Sequence, residues 1–165
     1  MMAMDYMGDD PDNEYPPVVL RRVAERMTRD ALDEHYRQQE TWAYPTDCDR
    51  LDEAFEEMNR AGIVARQNYG CCRTCATAEI HLEIAQMPGA AGYAFYHEQD
   101  TECALDTGTL YLSFGPVDET EAHTLAIGRR IVQILRLVGL ETDWNGDLRR
   151  RIGIPRLDWK RRRPE

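Results

Sequence analysis

Apolar residues recur every three or four positions in three parts of the chain, which is the spacing of an amphipathic helix. The first part runs from residue 17 to about residue 39, and Pro45 interrupts the pattern beyond it. The second follows Thr46 and Asp47, either of which can cap a helix start. In the third, residues 118–138, apolar positions cover more than one face, which predicts a helix buried against a sheet. The apolar stripes of the first two predicted helices are Leu20, Ala24, Met27 and Ala31, and Leu51, Ala54, Phe55 and Met58.

Other apolar stretches are short and alternate with polar residues, which is typical of strands. They are residues 63–69, 92–97 and 109–115. Residues 141–154 predict a hairpin of two further strands, because Asn145–Gly146 is a favoured two-residue turn. Between the second and third predicted strands, Asp100 can cap a single helical turn.

The pattern of residues 74–86 fits two structures. Ala76, Ile80, Ile84 and Met87 have helical spacing and favour a helix that begins at Thr74. The segment "EIHLEIA" also alternates, so a strand remains the alternative. The choice affects the cysteines that precede it, because only the strand would place Cys75 and His81 on one face.

The order of elements predicts an α+β (or α/β) fold: a single-domain sandwich with two N-terminal helices and further helices packed on a mixed sheet of about five strands. Residues 1–16 are rich in acidic residues and proline and are predicted to be a disordered leader. Residues 17–159 form the predicted domain, and residues 160–165 a basic tail.

Charge and composition narrow the class of protein. The chain carries a formal charge of −10, but residues 148–165 hold eight Arg and Lys against two acidic residues, a balance of +6 that leaves −16 elsewhere. Such a body repels nucleic acid, so we do not expect a nucleic-acid partner, and we expect the tail to fold back on the acidic body. No apolar run is long enough for a membrane span, and the start of the chain does not read as a secretory signal. We therefore expect a cytoplasmic protein whose thiols stay reduced.

Several segments, in order, suggest a family. "AGIVARQNYGCCRTC", "GYAFYHEQDTE", "LYLSFG", "DWNG" and "LDW" resemble a bacterial domain family of unknown function, over about residues 51–159. The CCxxC and YHEQD segments are the most specific parts of the resemblance. It implies a recurring fold and no activity, cofactor or catalytic residue.

The cysteines are the first candidate site. Cys72 and Cys75 have the two-residue separation that lets two thiolates reach one zinc ion, and Cys71 adds a third thiol. A closed zinc site needs a fourth ligand, for which His97 is one candidate. The same thiols could instead be redox-active or structural, and Cys72, close to a helix N-terminus, is expected to be the most acidic of them. No cofactor is predicted outright, but zinc could bind here.

The second candidate site is the segment "YHEQD". His97 ends a predicted strand, and Glu98 and Asp100 follow it, so a histidine beside carboxylates could act as a general base. The alternative is that His97 packs and Asp100 caps the next helical turn.

No complete catalytic motif is present: the chain has no glycine-rich nucleotide loop and no nucleophile elbow. Whether it is an enzyme therefore stays open. The leading hypothesis is a small binding or regulatory domain that acts through contacts with another protein. The alternative is a thiol-redox or zinc-binding protein built on Cys71, Cys72 and Cys75.

Overall fold

The computed structural model describes residues 15–118 and 120–164. Residues 1–14, most of the predicted leader, lie outside the described residues. The described residues divide into two compact units, one of residues 15–42 with 163–164 and one of residues 43–118 with 120–162.

The first unit contains one long helix, α1, Pro17–Gln39, with the bounds that the apolar pattern predicts. None of its residues is buried, and the apolar side chains of Val18 and Met27 are 58% and 64% exposed. At the end of α1, the Gln39 side-chain oxygen accepts from the Arg163 backbone N–H at 3.0 Å, and the Gln39 side-chain nitrogen donates to the Arg163 carbonyl at 3.1 Å. This double hydrogen bond connects the described end of the chain to α1.

In its described residues the second unit holds four helices and four strands. The helices are α2 Asp47–Arg60, α3 Arg73–Ile84, α4 Glu98–Thr107 and α5 Glu121–Leu137. The strands are β1 Ile63–Arg66, β2 Gly92–Phe95, β3 Leu110–Pro116 and β4 Ile152–Ile154. Among the described residues, no helix combines the length and the hydropathy needed to cross a membrane.

The strands form one mixed sheet in chain order. β1 and β2 are parallel and are joined through α3, whereas β2–β3 and β3–β4 are antiparallel. A parallel pair needs a long crossover, which is why a helix lies between β1 and β2. The α+β class with a mixed sheet is confirmed, with four strands where about five were expected.

Each face of the sheet carries its own apolar core. Inward-facing residues of neighbouring strands lie in register on one face, for example Ala94 beside Phe114 and Leu112 beside Ile152. The helices α2 and α5 cover this face. On the other face α3 covers Val64 and Phe95. The larger core includes Leu51, Phe55, Met58, Ile63, Tyr96, Leu110, Ile131 and Leu135.

The predicted hairpin of residues 141–154 is wrong in its first strand. Only Ile152–Ile154 forms a strand, and Asp143 makes a single bridge to Gly153. Tertiary contacts explain the difference: the Trp144 indole N–H donates to the Asp147 carbonyl at 3.0 Å, and its ring packs edge-on against Phe114 with 5.4 Å between centroids. These contacts hold the segment against α5 and β3 instead of in a ladder.

The helical turn expected near Asp100 is a ten-residue helix, α4. Its length was hidden because few of its residues are buried, so its apolar pattern is weak. The segment 74–86, for which the pattern left helix and strand open, is helical as far as Ile84, as α3. Ala76, Ile80 and Ile84 of this helix face the core that also contains Val64 and Phe95.

Two basic residues near the end of the chain, Arg161 and Arg162, form ion pairs with acidic residues of α2. Arg161 donates to both carboxylate oxygens of Asp52 at 2.7 and 3.0 Å, and Arg162 pairs with Asp49. The fold-back of the basic segment onto acidic residues is confirmed for these two arginines. Asp49 also accepts from the Thr46 N–H at 2.8 Å in a capping box that starts α2.

Candidate metal centre

The cysteine cluster lies where the loop after β1 enters α3. Two backbone hydrogen bonds anchor this loop to the end of β2 and the start of α4: Tyr69 N–H to the Tyr96 carbonyl at 2.8 Å, and Glu98 N–H to the Gly70 carbonyl at 3.1 Å. The Tyr69 ring also packs against the core under α3. The backbone immediately before Cys71 is therefore fixed by the fold.

Gly70 lets the loop turn back closely over the helix. Its φ of +73° lies in the left-handed region, which glycine adopts without steric cost. A Cβ at this position would lie 3.1 Å from the backbone nitrogen of Ala76 and 3.2 Å from its Cα. The close approach places Cys71 beside the first turn of α3, which carries Cys75.

The three thiols form one group. The sulfur atoms of Cys71, Cys72 and Cys75 all lie within 4.8 Å of one another. Cys71 and Cys75 are exposed and Cys72 is half-buried. No His, Asp or Glu side chain in the described part of the chain joins this group. The fold thus brings together the three candidate ligands that the spacing of the cysteines predicted.

The position of Cys72 at the start of α3 changes the acidity of the cluster. The pKa of the Cys72 thiol is lowered, chiefly because the Cys75 backbone N–H and the Cys75 thiol stabilise its thiolate. The Cys75 thiol shares hydrogen bonds with Cys72 and Cys71, which raises its pKa to about 11. These shifts make the Cys72 thiol more acidic than the Cys75 thiol.

His97 does not lie in the thiol group. Its side chain is buried and it caps α4: Nδ1 accepts from the Asp100 N–H at 3.3 Å, and Nε2 lies 3.1 Å from the Asp100 carboxylate. Asp100 in turn accepts from the His97 N–H at 3.2 Å. Both ring nitrogens therefore already have a partner three residues away.

Asp100 is also bound from a distant part of the chain. Arg151 donates to its Oδ1 at 2.6 Å and lies over the Tyr111 ring, 5.0 Å from the centroid. This arginine neutralises a carboxylate that is only 3% exposed. The arrangement matches the structural interpretation of the YHEQD segment, in which His97 packs and Asp100 serves the helix cap. Glu98 is exposed.

The remaining cysteines lie apart from the cluster. Cys48 is a buried residue in the first turn of α2, and burial raises its pKa to about 11. Cys103 lies on α4, where its sulfur is 3.6 Å from the Thr107 hydroxyl. Cys103 therefore offers a thiol for comparison with those of the cluster.

A second group of polar side chains was not apparent from the sequence. His123 pairs through Nδ1 with Asp118, and this contact lowers the pKa of the Asp118 carboxyl. The pair borders an open cavity of about 460 Å³. The sequence signal is only a histidine five residues after an aspartate at a helix start. The other lining residues are Ala90, Ala91, Val117, Ala126 and Ile127.

Comparison with known proteins places the chain in a family without supplying a reaction. Neither the curated proteins nor the solved structures include a match to this chain. The profile of a family described as "Domain of unknown function (DUF6891)" matches residues 1–163. This match confirms the expected resemblance to a family of unknown function and extends it over nearly the whole chain. The protein is therefore a member of the DUF6891 family.

Proposed function

We propose that this domain binds a thiophilic metal ion, with zinc as the first ion to test, through Cys71, Cys72 and Cys75. The single observation that carries the proposal is that three thiols from one loop and one helix turn have their sulfurs within 4.8 Å of one another. Thiolates are the ligands that zinc and other soft cations prefer.

The spacing of the sulfurs suits a single ion. Zinc–sulfur bonds of about 2.3 Å in a tetrahedron hold the sulfurs about 3.8 Å apart. The thiols of Cys71 and Cys75 are exposed, so a χ1 adjustment can close the remaining gap without displacing core residues. The lowered pKa of Cys72 favours the first metal–sulfur bond, because a thiolate is the ligand form of cysteine.

Three protein ligands leave the fourth zinc position for water or another small ligand. A site of this kind is open, unlike the four-ligand sites that hold small domains together. The two apolar cores lie on the sheet faces, and Cys71 and Cys75 belong to neither. Removal of the ion is therefore expected to leave the fold intact, in contrast to a zinc finger.

Elemental analysis tests the proposal. The full chain, purified under reducing conditions without chelator and then dialysed against zinc, should retain one equivalent. Cys71→Ser, Cys72→Ser and Cys75→Ser should each lose most of it, while Cys103→Ser should match the native chain. Zinc below a tenth of an equivalent in the native chain, or equal retention in all four variants, would refute the proposal.

The hypothesis that the domain acts through contacts with another protein stays a prediction. Exposed apolar side chains on α1, among them Val18 and Met27, support it. The cytoplasmic location is likewise a prediction. The prediction that nucleic acid is not a partner is supported by Arg161 and Arg162, whose guanidinium groups are paired with Asp52 and Asp49.

A further inference from the structure

Resting on the proposed ion-binding function, we propose that the Cys71–Cys72–Cys75 cluster takes trivalent arsenic, supplied as arsenite, in three-coordinate form. The three sulfurs would each bond the arsenic atom. The domain would then sequester a thiophilic metalloid instead of holding a permanent structural ion.

The number of available ligands is the first argument. The group of candidate ligands in the described residues consists of three thiols and no fourth side chain. Zinc with three thiolates still needs a fourth ligand to complete its tetrahedron. Trivalent arsenic forms three bonds and carries a lone pair in the fourth direction. Three thiols that bond one arsenic atom therefore complete its coordination. The cluster therefore fits arsenic more fully than zinc.

The second argument is that the ligands are already gathered. The loop is anchored on both sides of Gly70 through the Tyr69–Tyr96 and Glu98–Gly70 backbone hydrogen bonds. Cys72 and Cys75 are fixed at the start of α3. Because the fold gathers the three sulfurs before binding, little chain entropy is lost when one ion joins them.

The third argument is that an uncharged solute can reach the sulfur atoms of the cluster. Cys71 and Cys75 are exposed, so a small solute reaches both sulfurs directly. Arsenous acid is uncharged at neutral pH, and the −10 charge of the chain neither attracts nor repels it. Arsenate is an anion, so the negative charge of the chain repels it. Its pentavalent arsenic also has no lone pair to occupy the fourth direction beside three sulfurs.

The exchange balances without an oxidant. Three As–OH bonds break and three As–S bonds form, and each thiol proton leaves with a hydroxyl group as water. Arsenic stays trivalent and the sulfurs keep their oxidation state. One arsenous acid and three thiols thus give one As(S-Cys)₃ centre and three waters.

Native mass spectrometry of the full chain gives the direct test. The reduced protein, freed of reductant without oxygen, is titrated with sodium arsenite and followed also by the near-ultraviolet absorption of As–S bonds. A three-thiol adduct has lost three waters in forming, whereas a two-thiol adduct keeps one hydroxyl and is heavier by one water. The readout therefore counts the sulfurs bound.

We expect one arsenic per chain with the three-thiol mass. Cys71→Ser, Cys72→Ser and Cys75→Ser should each give the heavier adduct with affinity at least tenfold lower, and Cys103→Ser should behave as the native chain. A two-thiol mass in the native chain, no adduct, or an unchanged adduct in any cluster variant would overturn the inference. Zinc retention with such a result would leave the proposed function standing. A three-thiol arsenic adduct without zinc retention would refute the proposed zinc site and leave the arsenic inference standing.

Discussion

Replacement of Gly70 by alanine tests whether the fold gathers the cysteine cluster. Two costs add at this position. An L-residue at a φ of +73° costs about 1–2 kcal/mol, offset in part by about 0.4–1 kcal/mol from the stiffer unfolded chain. The new Cβ would also lie 3.1 Å from the Ala76 nitrogen, which is helix backbone and cannot rotate away. Such overpacking typically costs about 1–3 kcal/mol.

Gly89 provides the matched control. Its φ is +89°, and a Cβ there would meet no atom within 4 Å. Gly89→Ala therefore carries the conformational cost alone, about 1 kcal/mol after the offset. Gly70→Ala should lose about 2–4 kcal/mol of unfolding free energy, because the steric cost is added.

Urea unfolding of both variants, followed by circular dichroism, measures the difference. Zinc affinity of the same proteins gives a second readout, since moving the loop away from α3 separates Cys71 from Cys75. We expect weaker binding for Gly70→Ala and unchanged binding for Gly89→Ala. Equal losses of stability in the two variants, with equal zinc binding, would refute the close packing of Gly70 on α3.

Three further outcomes are expected. His97→Ala should lower the unfolding free energy by about 1–3 kcal/mol, because it removes the two ring nitrogens that contact the buried Asp100. Glu98→Ala should change the unfolding free energy by less than about 0.5 kcal/mol. Equal effects of the two substitutions in urea unfolding would contradict the cap. Desolvation raises the pKa of Asp49, but hydrogen bonds from Thr46 and the charge of Arg162 outweigh it, so its folded pKa is lowered and its stabilisation is present above about pH 4 and lost as the pH falls. Asp49→Asn should therefore unfold more readily than the native chain at about pH 6 and equally at about pH 2, and a constant difference would count against this ion pair. In the metal-free reduced chain, iodoacetamide should label Cys72 faster than the similarly half-buried Cys103 near pH 7, and peptide mapping that shows the reverse order would contradict the lowered pKa.

The apolar periodicity of the sequence predicted the elements whose buried faces are continuous. The stripe Leu51, Ala54, Phe55 and Met58 is buried in α2. In β3 the predicted alternation holds from Leu110 to Leu112 and fails beyond it, because Ser113 is buried and Phe114 is half-buried. The apolar pattern does not predict the local structure where tertiary contacts decide it. Trp144 is held by Asp147 and Phe114, which the Asn145–Gly146 turn signal could not reveal.

The candidate site was predictable as far as its members are close in sequence. Cys71, Cys72 and Cys75 lie within one loop and one helix turn, so their spacing brings them together whenever α3 forms. His97 was a reasonable distant ligand, but its ring is committed to Asp100 in a local cap. The Arg151 contact that completes this cap spans 51 residues and leaves no trace in the sequence pattern.

Cobalt titration of the reduced full chain tests the central claim most directly. Co²⁺ takes zinc-like tetrahedral sites and gives sulfur-to-metal charge-transfer absorption that scales with the number of bound thiolates. The native chain should show one saturable site with the intensity of three thiolates, displaced by one equivalent of zinc. Each serine variant of Cys71, Cys72 or Cys75 should fall to two-thiolate intensity, and Cys103→Ser should keep all three. Absorption of two thiolates or fewer in the native chain, or no saturable site, would contradict a three-thiol metal centre.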